Sequence, residues 1–259
     1  MKAENSIELK GSDRIPELSI VMPIYNEEDN IIPVVEELMN KLDGKIAYEL
    51  IVVDDGSEDS TTEKLQYMAK AHSRLHIAQH PNNRGKSAAL ITGVIRANAA
   101  WIATMDGDGQ NNPSDILNLF AKHSNVLRSR ELCLVAGHRS KRKDTWLKRI
   151  SSKIANRFRA FLLKDNTPDT ACGLKIFSRK EFLQLPMFDN MHRFLPALFK
   201  RQGGEVFFVE VEDRSRIHGK SKYNIRNRLW VGIVDLLGVM WLQHRAIPPY
   251  DDTLKKEDK

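Results

Sequence analysis

The chain has 259 residues, of which 41% are apolar and 29% are charged, and it carries a formal net charge of +6. This composition excludes a disordered or fibrous chain and is typical of one globular domain with a short appendage. No segment reaches the roughly 18 uninterrupted apolar residues of a membrane-spanning helix, and the polar N-terminal segment predicts no signal peptide. Cys133 and Cys172 lie far apart in the sequence. We therefore expect a reduced, cytoplasmic protein.

The first part of the chain alternates between short apolar segments and segments whose apolar residues have helical spacing. These patterns predict strands at 18–22, 50–53, 75–78 and 101–105, and helices at 30–42, 60–71 and 86–97. This order is typical of an α/β fold with a mostly parallel central sheet flanked by helices. Ligands of such sheets bind at the carboxyl ends of the strands. Polar clusters follow three of the predicted strands, at 25–27, 54–57 and 106–108.

After residue 130 the alternation is less regular. Strands are predicted at 132–136, 173–177 and 206–211, and a basic amphipathic helix at 146–163. The apolar segment 229–242 contains Asp235 and is too short to span a bilayer. Its aromatic residues and flanking arginines suit a helix at a membrane interface, but packing against the domain explains the segment equally well.

Basic residues are concentrated in two segments. One contains a single acid, Asp144, among Arg139, Lys141, Arg142, Lys143, Lys148, Arg149, Lys153, Arg157 and Arg159. The other contains Arg214, Arg216, Lys220, Lys222, Arg226 and Arg228. Such segments attract phosphate in nucleic acids, anionic lipids or small substrates, although solvated helix faces have the same composition.

The stretch MDGDGQNNP, residues 105–113, predicts a cation site. A calcium loop starting at Asp106 would need glycine at its sixth position and glutamate at its twelfth, where Asn111 and Leu117 stand. A phosphate-binding P-loop ending at Gly85-Lys86-Ser87 would need glycine where His80 stands. The remaining functional interpretation is a hard divalent cation, Mg²⁺ or Mn²⁺, that also binds substrate phosphates. A polar turn that only closes a strand is the simpler alternative.

Within that interpretation, Asp108 is the expected direct metal ligand and Gln110 a second oxygen ligand. Asp106 would bind a nucleotide ribose or a metal-bound water molecule.

Five segments follow one another along the chain: VMPIYNEE (21–28), VDDGS (53–57), MDGDGQ (105–110), DTACGLKIFSR (169–179) and RIHGKSK (216–222). In this order they resemble family 2 glycosyltransferases of the GT-A fold. The last two narrow the resemblance to polyprenyl-phosphate hexosyltransferases such as the dolichyl-phosphate mannosyltransferase group. Together the five segments are specific, whereas each alone is weak. The resemblance implies a Rossmann-like GT-A catalytic domain at 17–222 after a flexible segment at 1–16. C-terminal amphipathic membrane-interface helices at 223–247 and a polar tail at 248–259 would follow.

The resemblance also implies site residues. The residues around the nucleotide sugar would be Pro23, Tyr25, Glu27, Asp55, Asp106, Gly107 and Asp108. Arg216 and Lys222 would close over the diphosphate and act with Asp108 in catalysis, and Gln110 would support the metal. Arg139, Arg149 and Ser152 fall where similar enzymes hold the acceptor phosphate. Pro23 could equally end a strand, and Tyr25 could pack beneath the loop.

The implied reaction is an inverting transfer of a hexose-type sugar from a GDP- or UDP-sugar to an undecaprenyl or dolichyl phosphate. A phosphate monoester is largely dianionic at neutral pH, so no side chain is expected to act as an indispensable base, and Asp169 is expected to order the acceptor loop. Many members of this group carry transmembrane helices after the catalytic region. We expect this chain to lack them and to bind the inner face of the membrane peripherally, through its basic surface or a small membrane-protein partner.

Two other functions fit parts of the sequence. Transfer to a sugar hydroxyl of a polysaccharide or glycolipid would use the same donor site, but the Gln-x-x-Arg-Trp motif of processive synthases is absent from the sequence. A basic nucleic-acid- or lipid-binding protein without catalysis would explain the charge alone. Because no nucleic-acid-binding signature accompanies the charge, nucleic acid is not an expected partner.

Overall fold

The computed structural model describes residues 15–127, 132–139, 159–215 and 225–245. The strands in these ranges are β1 (Leu18–Ile24), β2 (Tyr48–Asp54), β3 (Leu75–Gln79), β4 (Trp101–Thr104), β5 (Cys133–His138), β6 (Lys175–Ser178) and β7 (Glu205–Glu210). They form one sheet in the order β3-β2-β1-β4-β6-β5-β7. Every predicted strand is present, and its observed bounds lie within two residues of the predicted ones.

Helices separate most of the strands and follow the last one. Their bounds are α1 (Ile31–Leu42), α2 (Thr61–Ala71), α3 (Lys86–Arg96), α4 (Ser114–Leu127), α5 (residues 159–163), α6 (Arg179–Leu183), α7 (Leu195–Arg201) and α8 (Ile225–His244), with a 3-10 turn at Met191–Arg193. Helices α4, α6 and α7 are absent from the predicted elements, although Ile116, Leu119 and Phe120 recur at helical spacing in α4. Most of the helix predicted at 146–163 lies outside the described residues.

The sheet is mostly parallel, as predicted. Strands β1, β2, β3 and β4 pair in parallel, and β7 pairs in parallel with β5. Strand β6 is the exception, because it runs antiparallel to both β4 and β5. After β3 the chain crosses to the other side of β1 to form β4. The strand order therefore reverses between β1 and β4, which is where open α/β sheets bind ligands.

Alternate residues of the central strands pack on opposite faces of the sheet. Ile20 and Met22 of β1 pack with α1, α2 and α4, whereas Val21 packs with α3, α6 and α7. Helix α3 lies unusually close to the sheet, because a Cβ at Gly93 would fall 2.3 Å from a methyl carbon of Val21. A glycine inside a helix is unfavourable by itself, and here it permits the approach. This packing holds α3 directly against β1 and β2.

Helix α8 packs one side on the domain and exposes the other. Val239 is buried in the core. Arg201 in α7 donates to the main-chain oxygen of Leu242 in α8, and Gln243 in α8 donates to the main-chain oxygen of Leu163 in α5. The large apolar residues that α8 exposes are Val231, Ile233, Val234, Leu237 and Trp241. Among the described residues, no helix combines the length and the apolar character that crossing a bilayer requires.

One buried histidine gives the fold a predictable response to acid. His123 in α4 is 0% exposed, and its ring contacts Trp101 edge-on at 4.2 Å between centroids. Neither ring nitrogen has a hydrogen-bond partner among the described residues. Burial disfavours the charged ring and lowers the pKa of His123 to about 4.

We expect His123→Leu to flatten the dependence of stability on pH. The unfolded chain binds a proton at His123 below about pH 6.5, while the folded chain does so only near pH 4. As the pH decreases from about 6.5 to about 4, the free energy of unfolding should therefore fall by up to about 3 kcal/mol. The variant should lack this contribution. Denaturant unfolding at pH 7 and pH 4.5 measures the difference, with the exposed His244→Leu as control. Equal pH dependence of His123→Leu and the unsubstituted protein would contradict the prediction.

Candidate functional site

Three loops meet at the carboxyl ends of the adjacent strands β2, β1 and β4. The loops after β1 and β2 are bonded to each other. The amide of Asn26 donates to Ser57 Oγ at 2.8 Å, the amide of Glu58 to Asn26 Oδ1 at 2.8 Å, and the amide of Glu27 to Thr61 Oγ1 at 2.9 Å. Asn26 adopts a left-handed backbone with φ of 52°, which asparagine tolerates better than most residues. The predicted Tyr25 and Glu27 are half-buried on this double loop, and the predicted Pro23 is half-buried near the end of β1.

Asp55, predicted to contact the nucleotide, is 3% exposed and holds a third loop in place. Its Oδ1 lies 2.7 Å from His80 Nδ1 and accepts from the amide of Arg84 at 3.0 Å. Its Oδ2 accepts from the amide of Gly85 at 2.7 Å. The second ring nitrogen of His80 lies 2.9 Å from Thr92 Oγ1 in α3. Asp55 therefore links the end of β2 to the start of α3, and its contact with a nucleotide stays a prediction.

Asp106 is a carboxylate of the site with basic side chains around it, and its own side chain is 25% exposed. The ammonium of Lys86, the first residue of α3, lies 2.5 Å from its Oδ1. A Cβ at Gly173 would fall 2.5 Å from the Asp106 carboxyl carbon, so the turn before β6 packs directly on this side chain. Burial alone would raise the pKa of Asp106, but Lys86, Lys175 and Arg139 outweigh it and hold the pKa below its usual value. Asp106 thus stays ionised in a positively charged environment.

Asp108 lies in the tight turn that follows. It is 8% exposed, and its Oδ1 accepts from the amide of Gln110 at 3.1 Å. Gly109 has φ of 76°, and a Cβ at Gly107 would fall 2.4 Å from a methyl carbon of Ile24. Both glycines are therefore required by the backbone conformation or by close approach to β1.

The donor atoms of this loop fit a hard divalent cation. Carboxylate and amide oxygens of Asp108 and Gln110 are ligands that Mg²⁺ and Mn²⁺ accept. Within the part of the chain that the structure describes, no three His, Cys, Asp or Glu residues are grouped to hold a metal ion. A cation at Asp108 would therefore complete its coordination with water and ligand oxygens, which is usual for Mg²⁺ bound to phosphates.

Arg139, predicted to bind the acceptor phosphate, follows β5 and is oriented by two carboxylates. Its Nε and Nη2 donate to the two oxygens of Asp169 at 2.7 and 3.1 Å, and its Nη1 donates to Asp213 at 3.4 Å. Burial alone would lower the pKa of Arg139, but Asp169 and Asp213 raise it, so the guanidinium remains charged. The other predicted cations and the predicted hydroxyl of this site, Arg149, Ser152, Arg216 and Lys222, lie outside the described residues.

Three charged residues of the site were not among the predicted site residues. Lys86 belongs to Gly85-Lys86-Ser87, a segment that was considered in the sequence only as the end of a P-loop and was rejected because of His80. Lys175 in β6 is 5% exposed, donates to the main-chain oxygen of Cys172 at 2.5 Å, and has a pKa lowered by burial. Asp213 follows β7. Their side chains reach the site only through the fold, and a lysine within an apolar strand segment was the one signal for Lys175.

A protein-family model supports the resemblance stated above. The model described as glycosyl transferase family 2 matches residues 19–185, which include the three loops, Arg139 and Asp169. The structure is that of an α/β protein with an acidic loop at the carboxyl end of β4, and the chain belongs to glycosyl transferase family 2.

Two curated relatives are similar over most of the chain. The dodecaprenyl-phosphate galacturonate synthase of Rhizobium johnstonii is 36% identical over 241 residues, which cover 90% of this chain and 69% of the relative. The undecaprenyl-phosphate 4-deoxy-4-formamido-L-arabinose transferase of Proteus mirabilis is 28% identical over 214 residues, which cover 82% of this chain and 64% of the relative. The chain thus spans about two thirds of the length of these relatives.

A solved structure has the same fold. Glucosyl-3-phosphoglycerate synthase from Mycobacterium tuberculosis, in complex with Mn²⁺, UDP and glucosyl-3-phosphoglycerate, superposes with a TM-score of 0.64 at 21% identity. The match covers 91% of this chain and 82% of that one. The mostly parallel sheet flanked by helices is therefore confirmed as a GT-A fold.

We expect Gly173→Ala to weaken binding of a nucleoside diphosphate with Mn²⁺ by roughly tenfold or more. The added methyl overlaps the Asp106 carboxylate and must displace it or the turn, at a cost of about 1–3 kcal/mol. Calorimetric titration of GDP and of UDP in the presence of Mn²⁺ measures the affinity. Gly238→Ala in α8 is the matched control, because its Cβ would meet nothing within 4 Å. Unchanged affinity in a folded Gly173→Ala protein would contradict the prediction.

Proposed function

We propose that this chain transfers a hexose-type sugar from a GDP- or UDP-sugar to the phosphate of a polyprenyl phosphate, with inversion at the anomeric carbon. The observation that carries the proposal is the contact between two sites. The acidic loop at Asp106 and the oriented guanidinium of Arg139 lie on either side of the turn at 169–173, which packs on Asp106 through Gly173 and bonds Arg139 through Asp169. The names of the two curated relatives support a polyprenyl-phosphate acceptor.

The donor would bind along the loops after β1, β2 and β4. Pro23, Tyr25, Glu27 and Asp55 would surround the nucleoside. Asp106 and Gly107 would approach the ribose and diphosphate, and Asp108 with Gln110 would hold Mg²⁺ or Mn²⁺. When bound, the cation would supply positive charge to the departing diphosphate. Lys86 would contribute a second positive charge at the same place, because its ammonium already lies against Asp106 at the start of α3.

The acceptor would bind as a phosphate dianion on the Arg139 side. A guanidinium fixed by a carboxylate presents its remaining N–H groups in a defined direction, which suits a phosphate oxygen that must point at the sugar. The nucleophile needs no proton removed at neutral pH, since the second pKa of a phosphate monoester is about 6. Asp169 would therefore orient Arg139 rather than act as a base. Arg149 and Ser152 would complete this site, and Arg216 and Lys222 would close over the diphosphate.

The lipid part of the acceptor would be reached through α8. Its outer side presents apolar residues that include Leu237 and Trp241, and Arg245 follows the helix. Apolar side chains next to a basic residue suit the interface of an anionic membrane. Because one interfacial helix binds reversibly, a small membrane-protein partner would strengthen the attachment.

A donor panel tests the proposed reaction. Purified protein, Mg²⁺ or Mn²⁺, undecaprenyl or dolichyl phosphate and each common UDP- or GDP-sugar would be combined, and nucleoside diphosphate and lipid-linked product would be measured. We expect turnover with one donor that requires the lipid phosphate. Asp108→Ala should reduce it at least about a hundredfold, because the leaving diphosphate loses its metal.

The alternatives give different results in the same panel. Turnover only with a sugar-hydroxyl acceptor would identify the acceptor as a polysaccharide or glycolipid instead of a polyprenyl phosphate. If no nucleotide sugar bound in the presence of metal, the proposed reaction would be wrong.

We expect Asp169→Asn to raise the KM for the acceptor roughly tenfold or more while kcat falls much less. The amide keeps the size of the side chain but loses the charge that orients Arg139 through two bonds. Steady-state kinetics with varied lipid phosphate at a saturating donor concentration separates the two constants. Intact binding of both substrates with abolished turnover would instead identify Asp169 as an indispensable base.

A further inference from the structure

Arg139 is held by two loops of different origin. Three of its five N–H groups are used, two by Asp169 from the turn before β6 and one by Asp213 from the segment after β7. The three side chains are 10, 3 and 11% exposed, so water screens these ion pairs only weakly. The bond to Asp213, at 3.4 Å, is the longer one and the more easily changed by a small movement of its loop.

The main chain of Asp213 is bonded to the acidic loop. Asp213 and Asn111 form an isolated antiparallel bridge, and the amide of Arg214 donates to the main-chain oxygen of Gln110 at 3.2 Å. Next to the bridge, the Glu212 carboxylate accepts from Asn112 Nδ2 at 2.8 Å. The segment after β7 is therefore fixed to residues 110–112, which begin at Gln110, the second expected metal ligand.

The same bridge is connected to Asp106. The side-chain oxygen of Asn111 accepts from the amide of Asp106 at 3.1 Å. One short series of bonds thus runs from Asp106 through Asn111 and Asp213 to Arg139. The main chain of Asp213 is bonded to the loop that would hold the metal and the diphosphate, and its carboxylate is bonded to the arginine that would hold the acceptor phosphate.

We propose that Asp213 is a positioning residue that couples the metal and diphosphate loop to the acceptor-phosphate arginine. This inference rests on the proposed function, because it takes Asp108 and Arg139 as the two substrate sites. Binding of a diphosphate and a cation orders the loop at 106–111. Through the Asn111–Asp213 bridge it also orders Asp213, whose carboxylate then holds Arg139 in one orientation. By linkage, occupation of either site changes the affinity of the other by the same factor.

Hydrogen exchange tests the coupling without an acceptor. Protein alone would be compared with protein containing Mn²⁺ and either GDP or UDP. In the unsubstituted protein we expect amide exchange to slow at least about threefold at 106–111, and also at 137–139 and 169–172. In Asp213→Ala the protection should remain at 106–111 but be lost from 137–139 and 169–172.

Two matched variants separate coupling from general damage. Glu63→Ala removes an exposed carboxylate of α2 that takes no part in this series of bonds, and it should keep the protection of the unsubstituted protein. Asp213→Glu retains the charge and should show at least part of the protection at 137–139 and 169–172. Thermal unfolding identifies any variant that is not folded, and the comparison within the unsubstituted protein is informative without any variant.

The outcomes distinguish the inference from the proposed function. Protection confined to 106–111 in the unsubstituted protein, or an undiminished spread in folded Asp213→Ala, would overturn the coupling role of Asp213 and leave the proposed function standing. No protection at 106–111 with either nucleotide would overturn the donor site itself, and the coupling would be rejected with it.

Discussion

The site depends on the ionised, largely buried carboxylate of Asp106. Lys86 at the start of α3 and the Gly173 turn both contact it, and its own amide is bonded to Asn111. A carboxylate in this position is costly unless cations surround it, and Lys86, Lys175 and Arg139 supply that charge. The same cations suit a diphosphate and a phosphate monoester. One electrostatic constraint thus explains both why the loops assemble and which ligands they would attract.

Several carboxylates of the site hold loops in place. Asp54 accepts a hydrogen bond from the loop after β2, and Asp55 accepts one from the loop after β3. Asp169 fixes the direction of Arg139. Asp108 lies in a tight turn at the strand-order reversal, where its Oδ1 accepts from the amide of Gln110. Its role as a metal ligand is a proposal. A motif of adjacent acids therefore does not by itself separate loop support from ligand binding.

Much of the N-terminal half of the fold could be predicted because its signals are local. Apolar segments ended by turn residues identified β1 to β4, and parallel pairing then required their carboxyl ends to meet at one edge. The antiparallel direction of β6 and the helix α4 were not predicted. Strand direction depends on how the chain returns to the sheet through 139–175, which no local pattern records. The family resemblance, now confirmed by the family match, added residue roles that periodicity alone could not supply.

By itself, the sequence determined the class of fold, the order of its strands along the chain and the acidic loop that follows β4. Those properties depend on the spacing of apolar residues and on short motifs, both of which are local in the chain. Only the tertiary structure decided that Lys86 meets Asp106 and that Asp213 meets Arg139. These pairs are separated by 20 and 74 residues, so their contact is set by helix packing at Gly93 and by the position of β7 beside β5. Long-range charge pairing follows from the fold, because nothing in the neighbouring sequence of either partner specifies the other.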